Sequence, residues 1–71
     1  MYNKTLVRKF VDRLARRQIV RVEFTKRDGS NRVMFCNLGE KGKVDRSIIT
    51  VRDLEANQYR SIRKNSLISV S

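Results

Sequence analysis

Apolar residues recur near the start of the chain at Leu6, Phe10 and Leu14, every fourth position, with Val7, Val11 and Ala15 running beside them. That spacing predicts an amphipathic helix with a single apolar stripe. Asn3 or Thr5 supplies its N-terminal cap, and Arg16 and Arg17 fall where the end of a helix favours cations. Asp12 is spaced to pair with Arg8 and Arg16. From Ile19 the period changes to two: Val20, Val22 and Phe24 alternate with Arg21, Glu23 and Thr25, residue types suited to a strand.

Asp28-Gly29 is the strongest hairpin signal in the chain, and Arg32 to Leu38 forms the returning strand. Two registers are open. A two-residue loop pairs Phe24 with Val33 and Val22 with Phe35. A three-residue loop with Gly29 in a bulge instead turns Met34 and Cys36 inward. Because both faces of this strand are apolar, one is expected in the sheet core and the other under the helix. Residues 39–46 (GEKGKVDR) read as a polar connection. Strands follow at 47–52 and 59–63, then a tight helical turn at 64–66 and a last strand at 67–70.

One helix followed by short strands predicts an α+β domain over residues 1–71, with the N-terminal helix (1–18) packed on a small five-stranded antiparallel barrel (19–71). An SH3-like or Sm-like barrel fits the strand lengths, with an OB-like barrel as the near rival, and the helix is expected to cap one open end.

Composition narrows the chemistry. The 71 residues carry 17 Lys and Arg against 7 Asp and Glu, a net charge of +10, with no His and one Cys. So small a core encloses no deep substrate cleft, and without His the usual zinc sets and Ser-His or Cys-His pairs cannot be assembled within one chain. No enzyme activity, metal or cofactor is expected. A single Cys forms no intrachain disulfide, which fits a reducing cytoplasm. No run of 18 apolar residues is present, so no membrane span is expected, and a transit-peptide reading of the Arg-rich start is set aside.

Four segments carry a resemblance: the VEFTKRDGS hairpin, the returning RVMFCNL, the strand-to-turn ITVRDLE, and YRSIRKNSL. Together they cover about two-thirds of the chain. The stretch from Val22 to Leu67 resembles small SH3-like barrel regulatory proteins of tailed bacteriophages, a WYL-like or Sm-like group. The resemblance implies an SH3-like barrel, a phage or bacterial origin and a regulatory or accessory role. The Trp-Tyr-Leu triplet that names WYL domains is absent; only Tyr59 stands at a comparable aromatic position, so binding by that triplet is not carried over.

Two basic clusters are candidates for gripping phosphates, each contact releasing counterions. The first is the helix face of Lys4, Arg8, Lys9, Arg13, Arg16 and Arg17; its plainer reading is a solvated face. The second joins Arg21, Lys26, Arg27 and Arg32 on the first hairpin to Arg52, Arg60, Arg63 and Lys64, which a barrel can gather into one groove. Arg60 can equally clamp Asp53 across the turn. Tyr59, with basic neighbours, is the best aromatic for stacking a base, against simple packing at a strand start. Phe10, Phe24 and Phe35 read as core. Lys41-Gly42-Lys43 is either an anion-contacting tip or only a loop, and Cys36 reads as a small core residue. Few interleaved aromatics argues against sequence-specific reading of a single strand.

The expected function is a small basic DNA- or RNA-binding accessory or regulatory protein, phage-encoded and acting in the host cytoplasm, that contacts phosphates through Lys and Arg. The alternative is an inhibitor or adaptor docking on an acidic surface of a host protein. Exposure of Val33, Phe35 and Ile48 would favour a protein partner or a homodimer. Membrane association through the helix competes with its packing on the barrel.

Overall fold

In the computed structural model, which describes residues 2–71, the four-residue apolar spacing becomes helix α1 (Lys4–Ala15). Asn3 is the N-cap: its Oδ1 accepts from the Leu6 backbone N–H at 3.0 Å. The helix ends at Arg17, whose backbone is left-handed (φ 61°). The Arg17 and Gln18 N–H groups turn back to the Leu14 and Arg13 carbonyls at 3.0 and 3.2 Å, satisfying two of its last acceptors. Phe10 and Leu14 are fully enclosed and Val7 nearly so, each of the larger two contributing about 2 kcal/mol by leaving water. Leu6 and Val11 are half-buried beside them, while Ala15 is exposed.

Six strands form one curled antiparallel sheet: β1 (Val20–Thr25), β2 (Asn31–Asn37), β3 (Lys43–Val44), β4 (Ile48–Asp53), β5 (Gln58–Arg63) and β6 (Leu67–Val70). Their order is β3-β4-β2-β1-β6, with β5 on β4. The five expected strands are present; the sixth is β3, a two-residue pairing of Lys43 and Val44 with Thr50 and Ile49 inside what the sequence presents as a connection. A 3-10 turn at Lys64–Ser66 returns the chain to β6, which pairs with β1. The fold is therefore α+β, a helix with a half-barrel sheet.

The hairpin resolves to the three-residue loop. Gly29 (φ 89°) donates its N–H to the Lys26 carbonyl at 3.0 Å, and the Lys26 N–H reaches the Ser30 carbonyl at 2.7 Å. Asp28 Oδ1 locks the turn by accepting from the Ser30 N–H and hydroxyl at 2.9 and 2.6 Å. Only glycine takes this left-handed position without strain. Val22 consequently faces Met34, Val20 faces Cys36, and Phe24 faces Arg32.

Met34 and Cys36 join Val20, Val22, Ile49, Val51, Ile62, Val70 and the buried helix residues in one core. The second expectation for β2 is corrected: its other face does not lie under the helix. The helix packs on β1 and β6 from the same side as Met34, so Val33 and Phe35 point outward, 43% and 46% exposed, and Phe35 is not core. Among the described residues, no helix is long and apolar enough to cross a membrane.

Candidate functional site

The two-residue period that builds the core also carries polar residues to its rim. Arg32 on β2, Asp53 on β4 and Arg60 on β5 all occupy inward-facing positions, in line with Met34, Val51 and Ile62. A guanidinium turned inward needs a countercharge. Asp53, only 1% exposed, provides it: Arg60 Nε donates to its Oδ2 at 2.7 Å and Arg32 Nη2 to the same oxygen at 3.1 Å. Its Oδ1 accepts from the backbone N–H of Glu55 and Ala56 at 3.0 and 3.2 Å, which fixes the β4–β5 turn. Burial works to raise the Asp53 pKa; the hydrogen bonds from Arg60, Ala56 and Glu55 and the Arg60 charge outweigh it and hold the carboxyl below its ordinary value. The clamp anticipated for Arg60 is present, and Arg32 shares it. Both side chains remain about one-third exposed, so their unused N–H groups face outward.

They face a cleft of about 510 Å³ between the β1–β2 hairpin and β5. Lys26, Arg27, Arg32, Arg60 and Arg63 line it together with Asp28, over a floor that includes Phe24, Ile62 and the part-exposed Ile48. Thr25, Ser61 and Ser66 add hydroxyls. Arg63 Nη2 lies 3.4 Å from the Thr25 carbonyl, tying β5 to the end of β1. Asp28, the other acid at this rim, has its pKa lowered chiefly by the Ser30 hydroxyl and N–H that it accepts from.

A second cleft of about 610 Å³ lies where the helix end meets the β2–β3 and β4–β5 loops. It is lined by Arg17, Asn37, Leu38, Gly39, Glu40, Lys41, Arg52, Asn57 and Tyr59. Arg17 Nη1 donates to the Gly39 carbonyl at 3.2 Å, Lys41 N–H donates to the Tyr59 hydroxyl at 2.9 Å, and Arg52 is bonded to the Asn57 side chain. Gly39 is left-handed (φ 64°), and a Cβ there would run into the Tyr59 ring, with Cζ at 3.1 Å. Tyr59 lines both clefts.

The structure thus gathers eight of the fifteen candidate residues at the two clefts. Lys26, Arg27, Arg32, Arg60 and Arg63 stand at the first, Arg17 and Arg52 at the second, and Tyr59 at both. Lys4, Arg8, Lys9 and Arg13 lie along the helix outside both, as does Arg16, which pairs with Asp12 at 3.2 Å. Arg21 lies on the outer side of β1 opposite Phe35. Lys64 is turned away: it is 9% exposed and sits 5.5 Å over the Tyr2 ring.

Sequence reasoning passed over Asn37 and Asn57. Asn57 carried a faint signal, since asparagine is the side chain that best tolerates the left-handed backbone (φ 55°) it adopts there; Asn37 carried none. Cys36 is no nucleophile: burial first, then the Asp53 charge, push its thiol up to about 12, and its Sγ lies 3.6 Å from the Val20 carbonyl. Among the described residues no cluster of His, Cys, Asp or Glu suits a metal ion. Comparison with protein families, with curated proteins and with solved structures gives no match.

Proposed function

We propose that this chain is a nucleic-acid-binding accessory protein on an SH3-like barrel, holding the phosphates of an unpaired DNA or RNA strand along the two clefts. The observation that carries this reading is the gathering of Lys26, Arg27, Arg32, Arg60 and Arg63 at the first cleft and of Arg17, Lys41 and Arg52 with the Tyr59 ring at the second, β5 contributing to both. A cleft of about 510 Å³ is the size of small-ligand sites, which suits a single strand or an extruded nucleotide. Arg32 and Arg60 are held by Asp53 before any ligand arrives, which lowers the ordering cost of binding.

The test is titration of labelled single-stranded and duplex DNA and RNA at about 50 and about 200 mM salt. Micromolar binding that favours single strands and survives the higher salt supports the reading. Binding that vanishes at the higher salt for every polymer refutes it and turns attention to the second reading, an acidic protein surface. The exposed Val33 and Phe35 on the outer face of β2, beside Arg21, favour that alternative, because apolar residues grouped on a charged surface suit a protein partner.

A further inference from the structure

The second cleft holds more than positive charge. Asn37 Oδ1 is buried and meets no hydrogen-bond donor, although its residue lines the cleft wall. Buried polar atoms almost always find a partner, and one left alone costs stability. Asn37 lines the cleft, so a rotation about its last torsion is all that brings this oxygen to an occupant.

The backbone points to the same place. Arg17 and Asn57, the non-glycine residues with left-handed φ (61° and 55°) among those described, both line this cleft, as does Gly39 (φ 64°). At Arg17 this backbone closes the helix and at Asn57 it turns the chain from β4 into β5, and the two turns set both residues at the cleft edge. At Arg17 the helix ends in a position that glycine fills best, yet the residue there sends its guanidinium to the Gly39 carbonyl at the cleft edge.

We infer that the second cleft reads the base of one nucleotide: the Asn37 amide meets the hydrogen-bonding edge of the base, the Tyr59 ring its face, and Arg17, Lys41 and Arg52 its phosphate. Each component has a matching group. A base offers donors and acceptors that an asparagine amide can pair with, bases stack on tyrosine, and a phosphate suits converging Arg and Lys side chains. The inference rests on the nucleic-acid reading and adds to it a base preference, which phosphate contacts alone do not produce.

The experiment compares short homopolymers of A, C and U or T, as RNA and as DNA, with an abasic strand of equal length, by fluorescence anisotropy at about 200 mM salt. The wild type is expected to bind one base about tenfold more tightly than the abasic strand. Asn37→Leu should reduce that preference to about twofold or less without lowering Tm, because an orphaned polar group is being replaced by an apolar one. Arg17→Gly puts the favoured residue at a left-handed position, so it should hold or raise Tm while weakening every homopolymer about threefold. Equal affinity for all bases and the abasic strand overturns the inference while leaving the nucleic-acid reading intact. So does an Asn37→Leu protein that melts earlier with its preference unchanged, since Asn37 would then serve the fold alone. Failure of every strand to bind, at about 50 mM salt as well, refutes the nucleic-acid reading itself and this inference with it. Preference confined to RNA or to DNA identifies which strand supplies the nucleotide.

Discussion

Arg60 Nε lies 2.7 Å from Asp53 Oδ2, and through that contact a basic cleft residue becomes part of the fold as well. Arg32 meets the same oxygen at 3.1 Å, so one buried carboxylate fixes two cleft-lining side chains from two strands.

Removing that carboxylate should cost both stability and binding. Asp53→Ala leaves two inward guanidinium groups without a countercharge and the turn N–H groups of Glu55 and Ala56 without an acceptor. A loss of about 3 kcal/mol is expected, read by urea unfolding at neutral pH.

The pH dependence has a definite sign. Asp53 and Asp28 both have depressed pKa values in the folded chain, so their contribution is fully present above the unfolded carboxylate value of about 3.9 and is lost as pH falls through the lower folded values. Unfolding measured in urea should show stability level from neutral pH down to about 5, then falling in acid. Asp53→Asn should flatten the acid limb, leaving the part that belongs to Asp28.

Register on β2 gives a paired prediction. Met34→Ala opens a cavity in the core and should cost about 3 kcal/mol, whereas Phe35→Thr on the exposed face should change stability by about 0.5 kcal/mol or less. Equal costs in urea unfolding would mean that both faces of the strand are covered.

The thiol of Cys36 is protected by burial and by a pKa near the value of about 12 that burial and the Asp53 charge impose. At about pH 8 a thiol reagent should react with it only as fast as the chain unfolds, and at once in denaturant. Rapid reaction in the native state would contradict the packing of β2 on β1.

Periodicity reached far into this fold and less far into its site. Phe10 and Leu14 announced the helix, and the alternation of Val20, Val22 and Phe24 announced β1, because burial acts on every repeat of those patterns. At β2 the pattern was ambiguous, since Val33 and Phe35 are as apolar as Met34 and Cys36; the choice was made by Gly29 in the turn and by the helix lying on the Met34 side. β3 was invisible because two residues carry no periodicity. Charge drew attention to Arg60 and Arg32, and Asp53 was legible as a partner for the first of them. The gathering of Arg17, Arg52 and Tyr59 at one cleft comes from the helix end and two loops, positions far apart in the chain whose meeting no local spacing encodes. Asn37 was silent for the same reason: its lack of a partner is a property of the packed structure.

Gly39 packs against the Tyr59 ring at the second cleft. Ala at this left-handed position would drive its Cβ into Tyr59, so Gly39→Ala should lower Tm and displace the ring, weakening strand binding more than Arg16→Gln on the outer helix face does.

The most direct measurement is the map of backbone amide shifts in the labelled protein as a short single strand is added. Changes are expected at Lys26–Asp28, Gly39–Lys41, Asn57–Arg63 and Arg17, with the helix from Lys4 to Arg13 and the outer face of β2 at Val33 and Phe35 unmoved. Shifts concentrated along the helix, or on Val33 and Phe35, would contradict the two-cleft reading and place the working surface of this protein elsewhere.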